Sequence, residues 1–209
     1  FLFGGFLSLL LITNCQNVNK QENVKQSIQK QSNKTEKKMS YSETLTKGTN
    51  SVSILSGDKL QGYQDIISGK KPKKIIIDGQ LYLPDNCKKE KLPAVIIQHG
   101  SGSPKAQFYA DTAKALNSKG IIALVPNSFA KRGISATGKN QGQLSKATRL
   151  YDTFSAFRFL RTLDCVDANR VGVTGYSFGG IISIDSAESN IASKLGDGDF
   201  YRTIKQIDA

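Results

Sequence analysis

GYSFGG, residues 175–180, follows the short apolar run RVGVT at residues 170–174 and precedes two isoleucines. A strand, a tight turn and a helix in that order are the context that a nucleophile elbow requires. At such a turn Ser177 adopts a strained backbone conformation that lifts its hydroxyl above the sheet, and the missing Cβ atoms of Gly175 and Gly179 relieve the crowding around it. The pattern therefore predicts Ser177 as a nucleophile. The alternative is a glycine-rich turn that only packs closely.

Upstream, the segment LPAVIIQ at residues 92–98 is continuously apolar at its centre, as expected of a strand that is covered on both faces. It leads into the loop HGSGSP at residues 99–104, where Ser103 is a candidate N-cap and Pro104 fits the first helical position. A helix is predicted from about residue 105 to residue 119. Its predicted buried face consists of Phe108, Thr112, Ala115 and Leu116.

The remaining segments of the chain also alternate between strand and helix patterns. Residues 75–84 fit either an antiparallel pair with a turn at Asp78-Gly79 or one bent edge strand. Residues 52–55 are consistent with a short strand, and residues 121–125 with a buried one. A polar loop separates the latter from a long helix, predicted over residues 144–163, whose apolar stripe comprises Leu150, Phe154, Phe157 and Leu160.

Strands and helices at this spacing predict an α/β fold with a mostly parallel sheet and helices on both faces. Functional groups in such sheets gather at the carboxyl ends of the strands. The loops at His99 and at Ser177 both follow strands, so we expect them at the same edge of the sheet.

Composition and charge exclude some classes of partner. The chain has 209 residues, enough for one domain, and a formal net charge of +12. Its Lys and Arg residues are spread along the sequence and form neither an Arg-rich helix nor a basic stripe with aromatic residues, so nucleic-acid binding is unsupported. The spacing of Cys and His indicates no metal site. We expect no metal and no cofactor.

The N-terminal part of the chain has the pattern of an export signal. Residues 1–12 form a nearly unbroken apolar run that is too short to span a bilayer. Cys15 follows LITN, which resembles a bacterial lipoprotein signal, so residues 1–15 are interpreted as a signal or lipoprotein-like segment. This predicts an exported protein, either periplasmic or anchored to a membrane through lipidated Cys15. The alternative is a buried strand or helix with an incidental cysteine.

The next segment, residues 16–47, is dominated by Gln, Asn, Lys and Ser. Such a stretch cannot bury enough apolar area to offset the entropy of ordering it, so we interpret it as a disordered polar tether. The folded domain is expected within residues 48–209.

Several segments together resemble the dienelactone hydrolase family of α/β-hydrolases over roughly residues 75–190. The resemblance implies that residues 48–209 form a partial α/β-hydrolase domain. The enzyme that names the family has a cysteine nucleophile, so Ser177 indicates a broader serine hydrolase acting on small carboxylic esters. The segments that carry the resemblance are LYLP at 81–84, AVIIQHGSG at 94–102, Ser128-Phe129 with Arg132-Gly133, and RVGVTGYSFGG at 170–180.

The resemblance also implies roles for single residues. Ser177 would attack an ester carbonyl and form an acyl-enzyme. The backbone N–H groups of Phe178 and Ser101 would bind the oxyanion, and Gly100 would let its loop approach the substrate without a side-chain clash.

Two basic side chains need separate consideration. His99 is the only histidine in the chain, but in the family its position belongs to the oxyanion loop, so we expect it to shape that loop rather than to act as the general base. Arg132 lies where the family places a basic residue near a substrate carboxylate. It is either an anion clamp or a solvated loop charge.

A triad acid and a histidine should follow the nucleophile in the chain order Ser, Asp, His. No histidine follows Ser177. Asp185 and Glu188 are expected on the helix behind the nucleophile, facing away from its hydroxyl. Asp197, Asp199 and Asp208 come too early in the chain. We therefore expect a fragment that is truncated after the elbow helix, lacks the triad acid and histidine, and does not hydrolyse esters efficiently by itself.

Other functions and one covalent link stay open at this point. A serine peptidase of the prolyl-oligopeptidase type shares the elbow motif, and a non-catalytic surface protein could use a hydrolase scaffold for binding. The sequence does not indicate an oligomeric state. Cys87 and Cys165 could form a disulfide in an exported protein, but their spacing does not show whether their Cα atoms come within bridging distance.

Overall fold

The computed structural model describes residues 45–87 and 89–196. These residues form a five-stranded sheet in the order β1-β2-β4-β3-β5. The strands are β1 (Gly48–Gly57), β2 (Lys74–Leu83), β3 (Leu92–Gln98), β4 (Ile122–Asn127) and β5 (Val166–Gly175). The helices are α1 (Tyr63–Ile67), α2 (Gln107–Asn117), α3 (Lys146–Leu160), α4 (Phe178–Ser186) and α5 (Ser189–Leu195).

Strand directions confirm the mostly parallel sheet. Strand β3 is parallel to both of its neighbours, β4 and β5. Strand β2 is antiparallel to β1 and to β4, so it alone runs against the other four. The carboxyl ends of β3, β4 and β5 therefore lie at the same edge of the sheet.

Helices cover both faces of the sheet, as predicted. Along β3, Ala94 and Ile96 belong to a large cluster with Phe154 of α3, whereas Ile97 packs with Tyr109 of α2. Successive side chains of a strand point to opposite faces, so α2 and α3 lie on opposite sides. Burying each such large apolar side chain contributes about 1.5–3 kcal/mol.

The sequence prediction of an antiparallel pair or a bent edge strand at residues 75–84 was wrong. Residues 74–83 form one continuous strand, β2, which lies inside the sheet, while β1 occupies its edge. There is no turn at Asp78-Gly79, because both residues pair with β1 and β4. A Cβ atom at Gly79 would come within 2.9 Å of Ile54 Cδ1. This glycine therefore makes room for a neighbouring side chain and does not provide a turn.

Helix α2 begins later than predicted and buries a different face. Its N-cap is Ala106, without a side-chain hydrogen bond, while the hydroxyl of Ser103 accepts from the N–H of Lys105 in the preceding turn. Tyr109 and Ala113 are buried and Phe108 is 42% exposed. Of the predicted face, Leu116 packs partly buried against the cluster of Tyr109, while the fully buried positions lie one residue after Phe108 and Thr112.

Helix α3 confirms the predicted apolar stripe, and Leu150, Phe154, Phe157 and Leu160 are all buried. It is shorter at both ends than the predicted 144–163. Ser145 caps its first turn by accepting a hydrogen bond from the N–H of Thr148. The chain leaves the helix after Leu160 through two tighter turns, one of them closed by the N–H of Leu163 on the carbonyl of Leu160.

A disulfide joins Cys87 and Cys165, whose Cα atoms are 5.2 Å apart. These cysteines precede β3 and β5, and the N–H of Leu92 donates to the carbonyl of Cys165 at 2.8 Å. The disulfide therefore links the amino ends of the two adjacent strands, at the edge of the sheet opposite the candidate site.

Parts of the predicted organisation fall outside the described residues. These parts are the signal-like residues 1–15 with Cys15, residues 16–44 of the predicted tether, and residues 197–209. In the portion that the structure describes, no helix has both the length and the apolar character needed to cross a bilayer.

Candidate active site

Ser177 lies at a sharp bend between β5 and α4. Its backbone has φ 52° and ψ −125°, and within residues 45–87 and 89–196 it is the only non-glycine residue with a positive φ. Such a conformation costs about 1–3 kcal/mol and persists only where surrounding contacts enforce it. The side chain is exposed. The predicted strand–turn–helix geometry at this serine is therefore present.

Two glycines make this bend sterically feasible. A Cβ atom at Gly175 would overlap the carbonyl group of Gly179, as expected from the motif. A Cβ atom at Gly179 would instead overlap the carbonyl of Gln98 and lie 2.7 Å from that of His99. The elbow thus packs backbone to backbone against the end of β3.

The loop that begins at His99 lies directly against the elbow. The last residues of β3 and β5, Gln98 and Gly175, are register partners. A Cβ atom at Gly100 would be 3.1 Å from the carbonyl oxygen of Tyr176 and 3.4 Å from Cβ of Ser177. This confirms that the two loops leave the same edge of the sheet.

The two residues predicted to form the oxyanion hole, Phe178 and Ser101, belong to the elbow and to the adjacent loop. Phe178 is the first residue of α4, so its N–H has no acceptor within the helix. The next two amides are engaged, since the N–H of Gly179 donates to Tyr176 O and that of Gly180 to Ser177 O. On the other side, Ser101 is held through its carbonyl, which accepts from the N–H of Thr137 at 2.7 Å.

His99 is completely buried, and backbone groups contact both of its ring nitrogens. Nδ1 lies 2.8 Å from the carbonyl oxygen of Gly100, and Nε2 accepts from the N–H of Ser128 at 3.3 Å. These two bonds require a neutral ring with the proton on Nδ1. Burial, reinforced by the positive charge of Arg149, lowers the pKa of His99 to about 3. No ring nitrogen is left to take a proton from Ser177.

The structure contradicts both interpretations of Arg132. Its side chain is 1% exposed, and its guanidinium forms two hydrogen bonds with the carboxylate of Asp152, at 2.8 Å and 2.9 Å. It also donates to the carbonyls of Ser128 and Gly57. Arg132 is therefore neither an anion clamp nor a solvated charge. Its hydrogen bonds connect the loop after β4 to α3.

Arg149 was missed by the sequence analysis. It is 1% exposed and is among the largest fully buried side chains. Its Nη2 donates to the carbonyl of His99, and its guanidinium lies over the rings of Phe129 and Phe178. No local signal distinguished it, because the same helix also contains the charged residues Lys146, Asp152 and Arg158.

Asp185 and Glu188, the acidic residues after the nucleophile that the structure describes, are bonded to groups other than Ser177. Asp185 accepts a hydrogen bond from the hydroxyl of Tyr63 and pairs with Lys146 at 3.4 Å. Glu188 caps α5 by accepting from the N–H of Ile191. Asp197, Asp199 and Asp208 lie outside the described residues. Among the residues that are described, no group of three or more His, Cys, Asp or Glu side chains could hold a metal ion.

A family model described as the dienelactone hydrolase family matches residues 77–201, more than half of the chain. Comparison with curated proteins gives no match. Solved structures similar to this chain include the dienelactone hydrolase from Anabaena variabilis, at 19% identity and a TM-score of 0.44, with 66% of this chain and 56% of that chain covered.

Two other proteins are among the similar solved structures. Est1E from Butyrivibrio proteoclasticus has 22% identity and a TM-score of 0.44, with 54% of this chain and 41% of that chain covered. The esterase Est2 from Thermogutta terrifontis has 21% identity and a TM-score of 0.41, with coverages of 52% and 38%. The chain thus spans between 38% and 56% of the length of these three structures.

Replacing either elbow glycine by alanine should disrupt the bend. We expect Gly175→Ala and Gly179→Ala to lower the free energy of unfolding by about 3 kcal/mol or more, because each new methyl group would overlap backbone that cannot move aside. Urea unfolding followed by circular dichroism would measure the loss. Gly102→Ala is the matched control, since nothing lies within 4 Å of its Cβ position. Equal stability of all three variants would contradict the described packing.

Stability should depend on pH through His99. Its ring stays neutral in the folded state down to a pKa of about 3, whereas in the unfolded chain it takes up a proton near pH 6.5. The unfolded state therefore binds more protons below pH 6.5, and stability falls as the pH falls. We expect wild type to lose about 2 kcal/mol between pH 7 and pH 5 relative to His99→Gln.

The measurement is urea unfolding of both proteins at several pH values. Titration of the carboxylates affects both proteins equally and cancels in the difference. Parallel pH curves for wild type and variant would show that His99 is protonated in the folded state as readily as in the unfolded one.

Proposed function

The chain belongs to the dienelactone hydrolase family, and on this basis we propose that it carries the nucleophile and the oxyanion hole of a serine hydrolase that cleaves small carboxylic esters. The observation that carries the proposal is the strained bend at Ser177, which presents an exposed hydroxyl beside the loop from His99 to Gly102. Strain at a single exposed nucleophilic residue, enforced by close backbone packing, is typical of a functional position.

In the proposed reaction, Oγ of Ser177 forms a bond to the ester carbonyl carbon and gives up its proton to a general base. The carbonyl oxygen becomes an oxyanion, to which the N–H groups of Phe178 and Ser101 donate. Each such donor typically supplies about 3 kcal/mol of transition-state stabilisation. Collapse of the intermediate releases the alcohol, which takes the proton from the base, and water then hydrolyses the acyl-enzyme.

The proposal does not use His99 as this base. Its Nδ1 proton is held by the carbonyl of Gly100, and its Nε2 accepts from Ser128. His99 is also the only histidine of the sequence. The general base of the proposed reaction is therefore a group other than His99, and the experiments below use the full-length protein.

The environment of Arg132 supports a broad ester substrate over a dienelactone carboxylate. A guanidinium at this position would have to be free to bind a carboxylate group of the substrate. Here it is neutralised by Asp152 and shielded from solvent. We therefore propose small neutral esters as the substrate class.

Ser177→Ala in the full-length protein should abolish labelling by a fluorophosphonate and lower the hydrolysis of 4-nitrophenyl acetate by about 10³-fold or more, because the acyl-enzyme can no longer form. Gel fluorescence and a colorimetric assay measure the two effects. Ser193→Ala, on the surface of α5, is the control. Undiminished labelling of Ser177→Ala would disprove the assignment of the nucleophile.

We also propose that the protein is exported and that Cys15 carries a lipid anchor. The support is the apolar run before Cys15 and, independently, the disulfide between Cys87 and Cys165, because structural disulfides persist mainly in oxidising compartments. The full-length protein would then be either periplasmic or held at a membrane.

Lipidation can be tested by feeding an alkyne-tagged fatty acid to bacterial cells that make the full-length protein. We expect the label on wild type, with the protein in the membrane fraction, and no label on Cys15→Ser, which keeps the apolar run but lacks the acceptor thiol. A soluble, unlabelled wild-type protein would refute the anchor.

A further inference from the structure

Arg149 is a buried cation that the proposed reaction does not use. Its side chain is 1% exposed, and its Nε and Nη1 have no hydrogen-bond partner. Burial lowers its pKa to about 10, so the guanidinium stays charged at neutral pH. The nearby carboxylate of Asp152 does not satisfy these donors, because it is bonded to Arg132 and to Ser56.

Such an arrangement is unfavourable for folding alone. An unpartnered buried donor is destabilising, because it gives up its hydrogen bonds to water without replacing them. A methionine of similar length could fill the space beside Phe129 and Phe178 without bringing a charge into the core, and buried ion pairs replaced by apolar groups often leave proteins equally stable. The position of Arg149 in α3 therefore suggests a role other than stabilising the core.

The contacts of Arg149 connect the two sides of the candidate oxyanion hole. Its Nη2 donates to the carbonyl of His99, where the oxyanion loop begins. Its guanidinium carbon lies 5.2 Å from the ring centroid of Phe178, whose backbone N–H is the donor on the other side. The planar, charged guanidinium of Arg149 thus contacts both His99 and Phe178.

A second step leads from His99 to Ser101. Nδ1–H of His99 donates to the carbonyl oxygen of Gly100. The carbonyl and the N–H of one trans peptide unit point in opposite directions, so fixing the oxygen of Gly100 also fixes the direction of the Ser101 N–H. Arg149 Nη2 lies 3.5 Å from this Nδ1, and its charge disfavours a second proton on the ring.

We propose that Arg149 is a positioning residue for the oxyanion hole: it holds His99 in place, which aims the N–H of Ser101, and it packs against the ring of Phe178. Its positive charge also favours the negative charge that develops on the carbonyl oxygen. This inference rests on the proposed serine hydrolase function. Arg149 does not touch the substrate, so its contribution should be specific to the transition state.

The test uses Arg149→Met and Arg149→Lys in the full-length protein with 4-nitrophenyl acetate as substrate. We expect kcat to fall at least tenfold in Arg149→Met while KM stays within threefold, because an oxyanion contact is made only in the transition state. Phenylboronic acid, whose serine adduct resembles the tetrahedral intermediate, should bind at least tenfold more weakly. Arg149→Lys keeps a charge but not the planar fork, so its kcat should lie between those of wild type and Arg149→Met.

Leu150→Ala is the matched control for loss of stability. It opens a cavity at the next residue of α3 but leaves the hydrogen bonds of Arg149 and His99 in place, so it should lower the urea midpoint but leave kcat and boronate affinity within threefold of wild type. If Arg149→Met does not fold, the inference is tested by the kcat, KM and boronate affinity of Arg149→Lys alone. The inference is overturned if the Arg149 variants keep wild-type kcat. It is also overturned if Leu150→Ala loses as much kcat as Arg149→Met does.

The two proposals fail in different ways. If Ser177→Ala hydrolyses the substrate as wild type does, the proposed function is wrong and the inference falls with it. If Ser177→Ala is inactive and the Arg149 variants keep wild-type kcat, the nucleophile stands and only the role of Arg149 is refuted.

Discussion

The candidate site depends on a close contact between two stretches of backbone. Gly179, in the first turn of α4, packs against the carbonyls of Gln98 and His99 at the end of β3, at a distance that leaves no space for a Cβ atom. This contact fixes where α4 begins, and the chain must then bend at Ser177 to connect β5 to the helix. The positive φ of Ser177 is therefore a consequence of packing between β3 and α4. The same contact brings the loop from His99 beside the serine.

Buried polar side chains connect these loops to α3 and to each other, and they form a polar framework that apolar side chains could not replace. Arg132 and Asp152 connect the loop after β4 to α3, and Arg149 connects α3 to the loop after β3. His99 then joins the two loops to each other through its ring nitrogens. Hydrogen bonds are directional, so this framework fixes the orientation of individual peptide groups, which apolar packing does not. The orientation of N–H groups is what an oxyanion hole requires.

Local patterns were sufficient for the parts of the fold that depend on local chemistry. The elbow at Ser177, the buried strand β3 and the apolar stripe of α3 were predictable because glycine spacing and hydrophobic periodicity specify them directly. The single strand β2 was not, because Gly79 resembles a turn residue until the side chain of Ile54 is known to occupy its space. The inward direction of Arg132 depends on Asp152, twenty residues away, and no local pattern encodes that partner.

The adjacent strands β3 and β5 carry different kinds of constraint at their two ends. At the amino ends, the disulfide and the bond from Leu92 to Cys165 connect segments that are 78 residues apart in sequence. At the carboxyl ends, the same strands lead into the loop from His99 and into the bend at Ser177. The register of the pair shifts once, between Leu92 and Ala94, and is regular from there to the site. Five consecutive register partners therefore lie between that shift and Ser177, and a displacement of one strand along the other would have to break this whole ladder. The relative position of the two loops is thus a property of the sheet, and the loops themselves need only supply the bend at Ser177.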